Sequence, residues 1–303
     1  MSRKPRDRSW PPAPEPLPVG VVDNHTHLDT DAELPDGDAP PSVREQIARA
    51  AAVGVGRMVQ IGCDLDAARW TDRVVREHAE LLGGVAIHPN EASLFAGAVD
   101  PGPDGLTPRT RPEHAVGLDA AVNEVAELAR GNDRIRVIGE TGLDHYRAGP
   151  DGRAAQLRSF RAHIALAKEL GLALQIHDRD AHAEVLDVLA RDGAPDRTVF
   201  HCFSGDAEMA RLCADRGWYL SFAGPVTFAA NAGLRDALAA VPLSRVLVET
   251  DAPYLTPHPY RGRPNAPYLV PLTTRTIAAV HDVDLAQACR TVASTSEAVY
   301  GPW

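Results

Sequence analysis

Nothing in these 303 residues approaches the ~18 uninterrupted apolar side chains that a membrane-spanning helix needs. The opening stretch, MSRKPRDRSWPPAPEPLP, carries charge and proline but lacks the apolar core of a secretory signal. Its proline density instead predicts an extended, disordered leader over residues 1–18. Cysteine is scarce. Cys63, Cys202, Cys213 and Cys289 form no C-x-x-C pair, so they read as reduced and mostly buried, and a cytoplasmic location follows. Aromatics make up only 5% of the chain, while Ala, Val and Leu dominate, which suits helices packed tightly on parallel strands. Positive charge is also in deficit: the formal net charge is −10, which argues against general electrostatic capture of polyanions. A polyanionic ligand would need its positive charge supplied locally, for instance by bound cations.

What the chain does contain is a regular alternation. Apolar runs of strand length fall near residues 19–23, 57–62, 83–87, 135–140, 172–176, 197–201, 217–222 and 245–250. Segments of helical period lie between them, near 42–54, 65–79, 118–130, 151–170, 181–191, 206–216, 228–240 and 283–299. Strand–helix alternation implies parallel pairing and βαβ units. Eight such strands predict an α/β fold of the (β/α)8 TIM-barrel type over residues 19–303, for which ~250 residues suffice. A doubly wound open sheet is the alternative. Two loops stand out: a Pro/Gly-rich insertion at about 100–117, read as flexible and carrying Arg109 and Arg111, and a loop at 252–267 carrying Arg261 and Arg263.

Several of the strand-like runs end in a side chain that can bind a metal. The segments are DNHTH at 23–27, VIGE at 137–140, LQIH at 174–177, VFH at 199–201 and LVETD at 247–251, with VAIH at 85–88 less clear. Residues so scattered meet only if the runs are parallel strands whose C-terminal ends lie together, and that is the face on which barrel active sites are built. His25 and His27, two apart on a strand, point the same way. An isolated H-x-H is as often a polar loop, so the pair gains weight only from its company. Glu140 follows an apolar lead-in, where a carboxylate is costly to bury without a cation, and its two oxygens could serve two metals. His177 and His201 close successive strands. Asp251 could ligate a metal and orient or deprotonate a water, with Glu249 behind it holding a ligand. An imidazole–carboxylate set suits Zn, Mn or Mg better than a Cys-rich structural zinc site. Two such ions can stabilise the attacking and leaving oxygens of a phosphoryl displacement by an activated water. His88, Arg179, Ser204 and Gly205 are candidate substrate contacts, each balanced by a plain turn or ion-pair reading. Ser204 lacks a nucleophile elbow, and Cys202 should face away from His201.

In this order, the segments DNHTHLD, AIHPNEA, IGETGLDHY, LQIHDRDA, HCFSG and VLVETDAPYLTP resemble the TatD family of metal-dependent deoxyribonucleases, from about residue 19 to 299. The resemblance implies an amidohydrolase-like barrel with two divalent ions. His25 and His27 would hold one, Glu140 would bridge, His177 and His201 would hold the second, and Asp251 would sit beside the hydrolytic water. It also implies cleavage of DNA phosphodiester bonds, including 3′-to-5′ exonuclease action on single strands or ends, with Asp251 and Glu140 as the catalytic pair. Three departures stand out. Asn90 replaces a frequent histidine, Pro264 and Ala266 alter the eighth loop, and the 100–117 insertion is long. The alternatives are an amidase or lactonase on the same barrel and a non-catalytic binding protein. Neither the metal nor the oligomeric state is legible, although a monomer is compatible with everything above.

Overall fold

The computed structural model describes residues 7–29 and 40–303. Eight strands alternate with helices: β1 (Val21–Thr26), β2 (Val55–Gly62), β3 (Leu81–Val85), β4 (Ile135–Asp144), β5 (Ala173–Arg179), β6 (Thr198–Phe200), β7 (Tyr219–Phe222) and β8 (Val246–Val248). They form one sheet in chain order. The β3–β4, β4–β5, β5–β6 and β7–β8 ladders are parallel. Thr26 bridges Ala252, also in parallel, so the end of β1 meets the segment leaving β8. The His27 amide donates to the Ala252 carbonyl at 2.8 Å, and the Asp251 amide donates to the His25 carbonyl at 2.9 Å. This is the (β/α)8 class that the alternation predicts. In a doubly wound open sheet the first and last strands would lack such a pairing.

The helices are α1 (Val43–Ala51), α2 (Leu65–Glu77), α3 (Pro89–Phe95), α4 (Leu118–Gly131), α5 (Pro150–Leu170), α6 (His182–Asp192), α7 (Ala207–Asp215), α8 (Ala232–Ala239), α9 (Val270–Val280) and α10 (Leu285–Tyr300). Their starts are written in the sequence. Ser42 and Glu45 form a capping box on α1, with the Ser42 amide donating to Glu45 at 2.8 Å and the Glu45 amide donating to Ser42 Oγ at 3.3 Å. Asp64 caps α2 and Asp206 caps α7, each at a position where such a side chain contributes about 1 kcal/mol. Helices α3 and α9 were not anticipated. In α3 a proline at the first helical position was read as a turn, whereas that position tolerates proline because its N–H is unpaired anyway. In α9 the β-branched run VPLTTRTIAAV has low helix propensity. Its buried residues Val270, Thr273, Thr274, Ile277 and Ala278 nevertheless recur at helical spacing, so packing overrides propensity.

The chain divides into two compact units, described in turn. The first comprises Met1–Val59, Gly205–Arg216 and Leu220–Ala298. Here the stretch before β1 is tied down. The Leu17 amide donates to Val53 O at 3.0 Å, Tyr268 Oη donates to Pro11 O at 2.7 Å, and the Arg49 guanidinium lies 4.9 Å from the Trp10 ring centroid and 4.4 Å from that of Tyr268. Residues 1–6 of the proline-rich leader lie outside the described residues.

The second unit comprises Gln60–Ser204, Gly217–Tyr219 and Val299–Trp303. In it β4 pairs with β3 on one side and β5 on the other. Gly142 has φ 142°, and a Cβ there would stand 2.1 Å from the His177 carbonyl oxygen. Only glycine lets these two backbones approach so closely. Within the insertion, Pro112–Val116 forms a short 3-10 helix, and Arg111 binds three carboxylates: Asp64 at 2.8 Å, Glu91 at 2.8 Å and Glu113 at 2.7 Å.

Candidate metal centre

In the first unit, β1 carries His25, His27 follows just past its end, and the turn leaving β8 delivers Asp251. His25 is fully buried and His27 nearly so. Their Nε2 atoms lie 3.2 Å apart. Asp251 Oδ1 is 3.3 Å from His27 Nε2 and 3.8 Å from His25 Nε2. Asp251 adopts φ 54°, a left-handed conformation that Asp tolerates better than most residues, and it turns the chain back so that Tyr254 N donates to Asp251 O at 2.8 Å. Two ring nitrogens and a carboxylate oxygen thus lie within 4.8 Å of one another, as three ligands of one ion would.

Behind this group sits Asp23, wholly buried. Its carboxylate accepts from Thr250 Oγ1 at 2.5 Å, from Thr250 N at 2.9 Å and from His25 N at 3.3 Å. Burial pushes its pKa up to about 8 against those hydrogen bonds, and the buried Glu249 nearby pushes the same way. The effect is to lock the ends of β1 and β8 in register, which fixes where His25 points.

In the second unit the residues gather around Glu140, which is only 5% exposed. Its Oε2 is 2.7 Å from His201 Nε2, 3.1 Å from His177 Nδ1 and 3.8 Å from His88 Nε2. The Cys63 thiol donates to Oε1 at 3.2 Å. Burial alone would raise the Glu140 carboxyl. The charge of His201 and the hydrogen bonds from His177 and His201 overcome it and hold the group well below the usual carboxylate range. Three imidazoles converging on one buried oxygen form a donor set that a borderline cation satisfies, so these residues fit a divalent ion of the zinc or manganese kind.

Asp144, at the end of β4, meets the far side of His177: Oδ2 is 3.3 Å from Nε2. Burial resists charge on His177, but hydrogen bonds to Asp144 and Glu140 raise its pKa to about 9. Asp144 is itself buried, which would raise its pKa, yet its bonds to His177 hold it at about 2. Asn90, noted as a departure in the sequence, donates through Nδ2 to the same Asp144 oxygen at 3.3 Å, and its amide donates to His88 Nδ1 at 3.1 Å. Burial drives the His88 pKa down to about 4, only partly offset by Glu140.

The remaining sequence candidates stand apart from these groups. Arg179 lies over the Tyr146 ring at 4.1 Å, and Ser204 Oγ donates to Asp178 O at 3.3 Å. Gly205 is buried. A third group in the second unit, Glu91, Glu113 and His114, is paired with Arg111. The sequence marks Asn90 only as a departure and Cys63 only as a reduced thiol, and it gives Asp144 no role. The last of these lies in the very segment IGETGLDHY, four residues beyond Glu140, where only the strand's unexpected length reveals it.

A family model described as TatD related DNase matches residues 22–301. An uncharacterized metal-dependent hydrolase TatD of Mycobacterium tuberculosis is 44% identical over 262 residues, which cover 85% of this chain and 89% of that protein. An uncharacterized metal-dependent hydrolase YabD of Bacillus subtilis is 33% identical over 267 residues, covering 87% and 92% respectively. Among solved structures, the TatD homologue YJJV of Escherichia coli K12 superposes with a TM-score of 0.77 at 20% identity, covering 93% of this chain and 98% of that one. At that identity the likeness speaks for the fold.

Proposed function

This chain belongs to the TatD related DNase family and is a metal-dependent hydrolase, and we propose that it cleaves DNA phosphodiester bonds with two divalent ions, acting on single strands or on ends in the 3′-to-5′ direction. His25, His27 and Asp251 hold one ion in this reading. His177, His201 and Glu140 would hold the other. Zn, Mn and Mg all suit such ligands. When bound, the ions polarise a phosphoryl oxygen and bring the pKa of a coordinated water toward ~7.

The chain's own residues supply the rest. Asp251 is positioned against His27, and its carboxylate accepts the proton of the attacking water. His88 accepts the Asn90 amide at Nδ1, which places its own proton on Nε2; burial keeps the ring neutral, and that tautomer can donate to a phosphoryl oxygen. Asp23 and Asp144 carry no substrate; they orient His25 and His177.

The observation that supports this reading most is the buried Glu140 oxygen faced by three imidazoles. No helix among the described residues is long and apolar enough to cross a membrane, and cysteines outside any disulfide accord with a cytoplasmic setting. The test is hydrolysis of end-labelled single-stranded DNA with Mg or Mn, beside EDTA and Asp251→Asn controls. Loss of turnover in both controls is expected. Equal activity in the variant would remove the assignment, and turnover of amides or lactones without DNA cleavage would give the site to amidase or lactonase chemistry.

A further inference from the structure

Arg261 lies over the Phe228 ring, 5.3 Å from its centroid, at a cavity of about 1040 Å³ within the first unit. None of the proposed metal ligands lines this cavity. Four arginines do, namely Arg8, Arg235, Arg261 and Arg263, with no aspartate or glutamate among the lining residues. In a chain of net charge −10, that is a local excess of positive charge, offset in part by Asp7, which pairs with Arg263 at 3.4 Å.

The four play different parts. Arg235 is consumed by the backbone, donating to Val226, Phe228 and Ala229 carbonyls. Arg263 is held by the stretch before β1, donating to Ser9 O at 2.8 Å, Ser9 Oγ at 2.9 Å and Trp10 O at 2.6 Å. Arg8 stands exposed at the lip, contributed by the same stretch, which lies ahead of the family-matched span 22–301. Arg261 is exposed and has no carboxylate partner among the described residues. Tyr254, 54% exposed, lines the cavity on one side, and its ring centroid is 6.1 Å from that of His27 on the other.

We propose that this cavity is a subsite for a single-stranded nucleic-acid segment, in which Phe228 and Tyr254 take base faces while Arg261 and Arg8 take backbone phosphates, with the strand passing Tyr254 toward His27. The proposal rests on the nuclease reading given above and deepens it. Guanidinium planes match phosphate with paired donors, and aromatic faces beside a basic track are how proteins hold unpaired strands. A duplex hides its base faces and would leave both rings unused. A single nucleotide would underfill the space, since small-ligand sites span ~300–1000 Å³. An acidic peptide would use the arginines but not the flat faces.

Fluorescence anisotropy of a labelled single-stranded oligonucleotide on the full chain, in EDTA so that nothing is cut, tests this. Tyr254→Ala and Phe228→Ala should each weaken binding about tenfold. Arg261→Gln and Arg8→Gln should each lower the slope of log affinity against log salt by about 0.7, the contribution of one single-strand phosphate contact. Arg158→Glu, on the exposed side of α5, serves as the charge control and should change neither quantity. Arg261 is exposed, so its variant stays informative even if Phe228→Ala misfolds. Undiminished affinity and slope in Arg261→Gln and Tyr254→Ala, no binding by the intact chain, or stronger competition from an acidic peptide than from DNA would each overturn the proposal. Binding that depends on the cavity without any DNA hydrolysis would leave the subsite standing and remove the nuclease reading. Hydrolysis with unaltered binding in the variants would do the reverse.

Discussion

Asp144 and His177 are bonded through the ring nitrogen that Glu140 leaves over: Glu140 takes Nδ1 at 3.1 Å and Asp144 takes Nε2 at 3.3 Å. A carboxylate on the far nitrogen of a ligand fixes the ring and raises its basicity. Asp144→Asn should therefore fold normally but hold a divalent ion 10–100-fold more weakly. Competition with a calibrated chelator measures this, and unchanged affinity would show that Asp144 does not position His177.

Gly142→Ala should be far more damaging than its size suggests. The new methyl would meet the His177 carbonyl oxygen at 2.1 Å, in a backbone conformation that L residues rarely adopt. The β4–β5 ladder must open to admit it, and a loss of about 3 kcal/mol or more is expected. Denaturant midpoints read the stability, and metal content per chain should fall with it.

His163 makes stability depend on pH away from the proposed ligands. It accepts from Ile87 N at 3.2 Å, and burial depresses its pKa from 6.5 to about 4. The folded state therefore keeps the ring neutral while the unfolded chain takes up a proton. The stabilisation is complete above about 6.5 and is lost as pH falls toward 4, amounting to about 3 kcal/mol over that interval. Urea unfolding in EDTA at pH 7.5 and pH 5 should show it, and His163→Gln should flatten the difference.

Arg111 offers a contrast to Arg261. Three carboxylates surround its half-exposed guanidinium, so Arg111→Gln should cost only about 1 kcal/mol. It should hasten proteolytic cleavage within residues 100–117 while leaving oligonucleotide affinity unchanged. Weaker binding in this variant would mean that the insertion also meets the nucleic acid.

The barrel was legible in the sequence because parallel strands buried on both faces leave nearly continuous apolar runs, and a metal-binding side chain closing several of them marks where those end. Strand β6 spans only Thr198–Phe200 and β8 only Val246–Val248, yet His201 follows the first directly and Asp251 stands three residues past the second, so the position of the side chain survived the shortening. What escaped the sequence were relationships with no period. Asp144 carries no signal of its own, because the apolar run that marks β4 ends at Glu140. Helix α9 hid behind β-branched residues whose propensity points elsewhere. The arginines of the 252–267 loop were visible as composition, but which of them is tied up by Ser9 and Trp10 depends on the fold of a stretch that has no periodic signal.

The pairing of Asp23 with Thr250 carries a consequence for how the protein is made. The two are 227 positions apart, and at ~5–20 residues per second a ribosome releases the first some 10–45 s before the second. During that interval the two leading imidazoles have neither their carboxylate companion nor the strand that sets their direction. A cation met early finds at most two loosely held nitrogens, so loading of the His25–His27–Asp251 group waits until the closing strand has arrived.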